Sequence, residues 1–291
     1  MKFWERFSKT IFKLAAQSQL RKIRPKLLES VLAKAPAMLD PELTAEIRSF
    51  IVNQQTELGG FADRGGKCDL YYSLFGFYIA ESLSVMEVMG PLRKYVAETV
   101  PTSNLSGVYR YCGAILYAKL VGLDETTEKL RKQIVADLLK SDSKQTEYAG
   151  FLGILALYYL EDYFNIQRVI NRYKRLATFT GHPCPVVAAT AVLVGMAGNK
   201  NPDAVKALKL FYRGNGGFAA LQAAPSEDLL STGVALYALY FLDADLREIK
   251  PDCLIFVDDL FDNGGFRATS SDFITDVEYT FYGLLALGSM S

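Results

Sequence analysis

Long apolar segments alternate along the chain with amphipathic, charged ones. Segments such as 150–160 and 279–287 are apolar at almost every position, are longer than a typical strand and are rich in leucine and alanine. The stretches between them, such as ETTEKLRKQIVADLLK at 125–140 and NPDAVKALKLFY at 201–212, have one apolar face and one charged face. This alternation predicts pairs of helices in which one helix is buried and the other meets water.

A repeated phrase divides the chain into units of similar length. Its three strong copies are GGFADRGGKCDLYYSLFG at 59–76, GGFAALQAAPSEDLLSTG at 216–233 and GGFRATSSDFITDVEYTFYG at 264–283. They share G-G-F, a polar loop, and D-x-x-[YS]-[ST] followed by a glycine. Weaker copies place Gly113, Gly153 and Ala191 at the position of that glycine. Six units at a period of about 40 residues are typical of a repeat fold.

Six helical hairpins can close on themselves so that the buried helices surround a central space. The sequence therefore predicts an all-α fold over residues 31–291, an α/α toroid (α6-α6 barrel) of helical hairpin repeats with about six units. Residues 1–30 are predicted as a separate basic, amphipathic segment. Its Phe3, Phe7, Ile11 and Leu14 fall at helical spacing, which suits packing on its own domain, on a helical partner subunit or on a membrane surface.

Glycines and aspartates have predicted structural roles in the strong copies. Glycine enters left-handed conformations freely, so the pairs at 59–60, 216–217 and 264–265 are predicted to be C-caps of the outer helices. Asp69, Asp228 and Asp276 immediately precede the inner helices, where a carboxylate can accept hydrogen bonds from the free N–H groups of the first turn. An N-cap role explains the position of all three.

The repeated phrase resembles the repeats of protein prenyltransferase β subunits and of the related squalene and triterpene cyclases. Gln55, Gly59 and Phe61 are similar to the Q-x-x-x-G-x-W/F motif of that superfamily. The resemblance covers roughly residues 40–290 and implies a fold rather than a reaction. It also implies an isoprenoid diphosphate in the central cavity, and the helix N-termini gathered at one mouth of a toroid would favour such an anion.

The resemblance implies a set of site residues. Arg64, Lys67 and Tyr72 match a segment that contacts diphosphate, and Tyr109 and Tyr279 would add aromatic surface for the substrate. Asp69, Asp228 and Asp276 are the catalytic candidates, as acids or electrostatic stabilisers. Each assignment has an alternative: solvated loop charges for Arg64 and Lys67, core filling for the tyrosines, and N-capping for the aspartates.

The chain departs from the superfamily where metal and acid chemistry is expected. Tyr71 and Leu230 stand where the resemblance expects a cysteine ligand, and Tyr279 stands where it expects a histidine, so no zinc cofactor is predicted. The acidic D-x-D-D phrase of the cyclases does not occur. Asp258, Asp259 and Asp262 spell D-D-x-x-D, which leaves magnesium as an alternative to a solvated helix end.

His182 and Cys184 are too few to specify another metal site.

Charge and cysteine content limit the classes of partner and the cellular location that the sequence predicts. The chain has 32 basic and 32 acidic residues, so it lacks the surplus of positive charge that nucleic-acid binding needs. Residues 1–26 nevertheless contain eight basic residues and one acidic residue, a net charge of +7. Four widely spaced cysteines and no apolar run of 18 residues predict a cytoplasmic protein, with attachment to a membrane surface as an alternative.

Two classes of function remain open on the sequence. One is an enzyme similar to prenyltransferases or terpenoid cyclases that acts on an isoprenoid or another lipid chain. The other is a non-catalytic toroid that binds a lipid or a protein, or serves as a partner subunit. An aromatic pocket that contains a carboxyl with a raised pKa would favour the enzyme, whereas a cavity filled by its own side chains would favour the module.

Overall fold

A computed structural model of the chain describes residues 21–140, 147–198 and 200–291. The proposed amphipathic stripe of Phe3, Phe7, Ile11 and Leu14 lies outside the described residues. Within the described ranges the chain is mostly helical, as the sequence predicts. None of the helices found there has the length and apolar character that crossing a bilayer requires.

The helices of the described residues follow one another with short connections. In chain order they are α1 (Leu28–Leu32), α2 (Pro41–Asn53), α3 (Leu70–Leu83), α4 (Met89–Thr102), α5 (Gly107–Leu120), α6 (Glu125–Leu139), α7 (Glu147–Tyr159), α8 (Tyr163–Leu176), α9 (Cys184–Met196), α10 (Pro202–Lys209), α11 (Leu229–Phe241), α12 (Lys250–Asp258) and α13 (Val277–Met290). Short 3-10 turns lie at Arg24–Lys26, Ala35–Met38 and Met86–Val88. Helix α1 crosses residue 30, where the sequence places the end of the N-terminal segment.

Buried and surface helices alternate as predicted. The inner helices α3, α5, α7, α9, α11 and α13 carry the apolar segments, and each packs against the next. Helix α13 also packs against α3, so the contacts return to the first inner helix. The amphipathic helices pack on the inner ones, for example α4 on α3 and α5, and α8 on α7 and α9.

The inner helices begin at one end of the molecule and finish at the other. Near their N-terminal ends, the Tyr148 hydroxyl of α7 donates to the Tyr71 hydroxyl of α3 at 3.2 Å. At the opposite end, the Lys26 ammonium donates to the Phe241 carbonyl that ends α11, and the Tyr159 hydroxyl at the end of α7 donates to Glu29. The helices therefore run in the same direction.

Each strong repeat starts its inner helix with an aspartate N-cap, which confirms that interpretation. Backbone N–H groups of the first turn donate to the carboxylates as follows: Tyr71 and Tyr72 to Asp69 at 2.9 Å, Ser231 to Asp228 at 2.7 Å, and Tyr279 to Asp276 at 2.8 Å. Four residues after each aspartate, a hydroxyl ties the helix to the G-G-F phrase. Thr232, for example, donates to the Asp228 carbonyl at 2.7 Å and accepts from the Phe218 N–H at 2.9 Å.

Short antiparallel ladders, which the sequence analysis did not predict, support this arrangement. They comprise β1 (Phe61–Ala62) with β2 (Cys68–Asp69), and β3 (Phe261–Asp262), β4 (Gly265–Arg267) and β5 (Thr275–Asp276) in that order. In each strong repeat the G-G-F phenylalanine lies opposite the capping aspartate. This pairing brings the N–H of the G-G-F phenylalanine to the hydroxyl that lies four residues after the aspartate.

The prediction that the paired glycines are C-caps is wrong. Helices α2, α10 and α12 end several residues earlier, with Gln54, Leu210 and Asp259 as C-caps. The first glycine of each pair adopts a positive φ, 90° at Gly59 and 96° at Gly216, in a turn that passes close to the next outer helix. A side chain at Gly216 would overlap the Asp252 carbonyl of α12. Close approach between units therefore accounts for these glycines.

The glycines of the inner helices make room for the same phenylalanines. A Cβ at Gly76 would overlap the ring of Phe61, and one at Gly283 would meet the ring of Phe266 at 2.7 Å. Gly233 differs, because it comes two positions earlier in its repeat and lies against the Tyr282 carbonyl.

The hydroxyl link is testable at Thr232. We expect Thr232→Val to lower the free energy of unfolding by about 1–3 kcal/mol, because the buried Phe218 N–H loses its acceptor while the side-chain shape is kept. Thr190→Val is the matched control, since Thr190 is also buried but donates only to the Val186 carbonyl of its own helix. Urea denaturation measures both variants, and equal losses would contradict the proposed link.

Candidate functional site

A cavity of about 410 Å³ lies between the inner helices. Its lining runs from the first turn, at Tyr71 and Leu230, to the third turn, at Tyr78 and Tyr237. Five of the six inner helices contribute to it, and the lining is almost entirely aliphatic or aromatic. The volume falls within the range of about 300–1,000 Å³ that is usual for small-molecule pockets. The cavity can therefore accept a hydrophobic molecule.

One side of the cavity is an aromatic seam between α3 and α13, the first and last inner helices. The ring of Phe75 lies 4.8 Å from that of Tyr71, edge to face, and 4.9 Å from that of Phe281. Such tilted and edge-to-face pairs stabilise by about 0.5–1.5 kcal/mol each beyond the area they bury. The seam joins residues about 200 positions apart in the chain, and its rings form one wall of the cavity.

Glu278 lies at the N-terminal end of this seam, where two tyrosines hold its carboxyl group. The Tyr72 hydroxyl donates to Oε2 at 3.1 Å and the Tyr71 hydroxyl to Oε1 at 3.3 Å. Tyr71 also lines the cavity and accepts the hydrogen bond from Tyr148. A polar chain thus leads from the cavity wall to a carboxyl group.

Burial raises the pKa of Glu278, and the charge of Asp276 raises it further, while the hydrogen bonds from Tyr72 and Tyr71 oppose the shift. The carboxyl therefore holds its proton to a higher pH than an exposed glutamate does. A carboxyl with a raised pKa that is joined through Tyr71 to an apolar cavity is suited to hydrogen bonding or proton exchange with a ligand. Among the described residues, this is the arrangement best suited to chemistry.

Arg64, predicted to hold diphosphate, is engaged by carboxylates of the last repeat. Its guanidinium donates to Asp276, to Asp272 at 2.8 Å and to the Ile274 carbonyl at 3.2 Å. Burial lowers the pKa of Arg64, but the hydrogen bonds and charges of the two aspartates outweigh it and raise the pKa. The guanidinium also lies 5.1 Å from the ring centroid of Tyr279. Arg64 thus links the first unit to the sixth.

The other predicted binding residues surround the same end of the inner helices. Lys67 is exposed and its ammonium has no ion pair within the part of the chain that the structure describes. Tyr109 is 45% exposed, and the charge of Asp69 raises its pKa. Burial raises the pKa of Tyr279 to about 12. The Tyr72 hydroxyl donates to Glu278, a residue that was not predicted from the sequence.

The three aspartates predicted as catalytic differ in their surroundings. All three are occupied as N-caps, and Asp276 is also paired with Arg64. Burial raises the pKa of Asp228, although backbone and side-chain donors of Ser231 oppose the shift. Asp69 lies close to Tyr109. The structure brings Asp276 next to Glu278 and Arg64, whereas Asp228 and Asp69 begin other helices.

Candidate metal ligands do not cluster in the described part of the chain, where no group of three histidine, cysteine or acidic side chains is arranged to hold an ion. Asp258 ends α12 and Asp262 lies in β3. The His182 ring shares a hydrogen bond of 2.9 Å with the Thr178 hydroxyl, and Cys184 is buried. Burial raises the pKa of the Cys184 thiol, which disfavours the thiolate that zinc binds.

Comparison with known proteins gives no match to a family model and no significant match to a curated protein.

Glu278 and Tyr148 are the residues of this site that sequence reasoning missed. A signal for Glu278 was present, because the second residue after the capping aspartate is Tyr71 in the first strong repeat, Leu230 in the second and glutamate only in the last. Tyr148 carried no comparable signal. Its hydrogen bond to Tyr71 spans 77 positions.

The state of Glu278 is testable by the pH dependence of stability. A raised pKa in the folded protein means that folding favours the protonated acid. Stability is therefore fully present below the ordinary value of 4.5 and is lost as the pH rises through the raised value. We expect Glu278→Gln to match the wild type at low pH and to be more stable at neutral pH, by about 1.4 kcal/mol per pKa unit.

Tyr72→Phe is the companion variant, because it removes a donor that lowers the pKa of Glu278. We expect this variant to raise the pKa of Glu278 further, so that the free energy of unfolding continues to fall up to a higher pH than in the wild type. Thermal and urea denaturation between pH 4 and pH 8 measure both variants. A difference between the wild type and Glu278→Gln that does not change with pH would contradict the raised pKa.

Proposed function

We propose that the chain forms an α/α toroid of the prenyltransferase and terpenoid cyclase type, and that its central cavity binds an isoprenoid or a similar lipid-like molecule. The observation that carries the proposal is the 410 Å³ cavity with an almost wholly apolar and aromatic lining. The cyclic order of contacts from α3 through α13 and back to α3 supports the toroid. The repeated G-G-F phrase supports the superfamily.

The groups around the N-terminal end of the cavity, which we take as its mouth, favour a ligand whose polar end is uncharged. Asp69, Asp228, Asp276 and Glu278 all lie at the N-terminal ends of the inner helices, where they already meet the partial positive charge of those ends. Arg64 is neutralised by Asp276 and Asp272. A diphosphate would have to displace these carboxylates, whereas an alcohol could share hydrogen bonds with the cluster of tyrosines and Glu278.

Any chemistry in this cavity would rest on Glu278 rather than on the three capping aspartates. Its raised pKa and its contact with the cavity-lining Tyr71 suit a proton donor. This supports a cyclase- or transferase-like enzyme over a module without chemistry. A non-catalytic binding module remains the second candidate, because the three aspartates predicted as catalytic already accept hydrogen bonds as helix N-caps.

Binding is testable with two ligands that share one hydrocarbon chain, farnesol and farnesyl diphosphate. We expect farnesol to raise the melting temperature of the full chain more than farnesyl diphosphate does, because the mouth is rich in carboxylates. Lys67→Ala, which removes an exposed cation, should leave the farnesol effect unchanged. Stronger stabilisation by the diphosphate that is lost in Lys67→Ala and Arg64→Ala would instead support an anion clamp.

The location of binding is testable by filling the cavity. We expect Val234→Trp to abolish the farnesol effect, because Val234 lines the cavity. Val52→Trp is the control, since Val52 is exposed on α2 and is 39% accessible. Circular dichroism verifies that both variants keep their helices. Equal farnesol binding by both variants would place the ligand outside the cavity. If neither farnesol nor farnesyl diphosphate changed the melting temperature of the wild type, the proposed function would be refuted.

A further inference from the structure

Residues 24–34 lie across the C-terminal ends of the inner helices, at the end opposite Glu278. Helix α1 within this segment packs against α3 and α13. It approaches α13 so closely that a side chain at Gly288 would overlap the Val31 carbonyl. Leu27 and Leu28 are buried. The segment is therefore packed against the inner helices at this end.

Polar contacts hold the segment to several helix ends at once. The Lys26 ammonium donates to the Phe241 carbonyl at 2.9 Å and pairs with Asp243. The Lys34 ammonium donates to the Tyr240 hydroxyl at 2.8 Å. Cations are stabilised near the carbonyl ends of helices, where the partial charge is negative. The position of these lysines is thus complementary to the helices that they cover.

Glu29 makes the contacts on the other side of the segment. It accepts a hydrogen bond from the Tyr159 hydroxyl at the end of α7 and pairs with Lys119 at the end of α5 at 3.4 Å. Lys119 also pairs with Glu81 at the end of α3 at 2.7 Å. Leu28 lies between the contacts of Glu29 and those of Lys26, and its side chain lines the cavity.

Leu28 is the only cavity-lining residue that does not come from an inner helix, within the ranges that the structure describes. The other lining residues at this depth include Tyr78, Val192, Tyr237 and Leu285, all from the third turn of their helices. The Tyr237 hydroxyl donates to the Lys26 carbonyl at 3.0 Å, so the cavity wall and the segment are joined directly.

We propose that residues 24–34 form the floor of the cavity and that Leu28 sets the maximum length of the hydrocarbon chain that it accepts. This inference rests on the proposed function and specifies its substrate class by length. Ligands would enter with the polar end near Glu278 and the chain pointing toward Leu28. A chain that reaches Leu28 gains no further apolar contact by being longer.

The experiment measures dissociation constants of the full chain for straight-chain alcohols of increasing length. For the wild type, affinity should rise about fourfold for each added methylene until the chain reaches the floor, and then level off. In Leu28→Ala the levelling should occur at a chain about two carbons longer, because the substitution shortens the side chain at the floor by two carbon–carbon bonds. Leu28→Phe should shorten the limit, which keeps the proposal testable where Leu28→Ala lowers stability too far.

Leu230→Ala is the matched control, because Leu230 lines the cavity at the N-terminal end of α11. It removes the same atoms at the mouth and should not change the length limit. A limit that is the same in the wild type, Leu28→Ala and Leu28→Phe would overturn the role of Leu28 while leaving the proposed function intact. Failure of the wild type to bind any alcohol would overturn the proposed function, and this inference with it.

Discussion

The parallel direction of six inner helices is the constraint on which the rest of the structure depends. Parallel helices place their unpaired N–H groups at one end of the molecule and their unpaired carbonyl groups at the other. Three of the N-terminal ends are capped by Asp69, Asp228 and Asp276. Lysines of residues 24–34 lie at the carbonyl ends. The positions of these aspartate caps and lysine contacts agree with the helix direction, although Arg64 and Glu29 add the opposite charge at each end.

The repeated phrase encodes one compact device that fixes each of three inner helices in place. Aspartate caps the helix, the hydroxyl four residues later accepts the phenylalanine N–H, and in two of the repeats a helical glycine admits the phenylalanine ring. The first glycine of G-G-F brings each turn close to an outer helix, and Gly264 approaches α2 of the first unit. The same device thus supports both the individual unit and the contact between units.

Local patterns in the sequence were sufficient to predict the aspartate caps, but not the hydroxyl link or the contacts of the phenylalanine rings. The helix pairs and the N-cap aspartates depend on spacings of a few residues, and the period of about 40 residues follows from the repeated phrase, so all three can be predicted without a structure. The glycines were misassigned because their role depends on a carbonyl of another unit, such as that of Asp252 beside Gly216. The short ladders were missed because strands of two or three residues leave no periodic signal.

The candidate site was harder to predict from the sequence, because its contacts join residues from the two ends of the chain. The partners of Arg64 are 208 and 212 positions away, and those of Tyr71 and Tyr72 at Glu278 are more than 200 positions away. A sequence motif predicted Arg64 as a diphosphate contact, with a solvated loop charge as the alternative, and only its partners show that its charge is paired with Asp272 and Asp276. Likewise, composition showed the N-terminal region as a basic segment, while the packing of Leu28 relates that region to the cavity.

The site and the contact between α3 and α13, the first and last inner helices, are therefore physically linked. Glu278 owes its raised pKa to burial against the first unit, and its donors Tyr71 and Tyr72 belong to that unit. If α3 and α13 separated, water would reach the carboxyl and the shift in its pKa would disappear. The raised pKa of Glu278 thus depends on contact between the first and last units, and the ion pairs of Arg64 with Asp272 and Asp276 favour that contact.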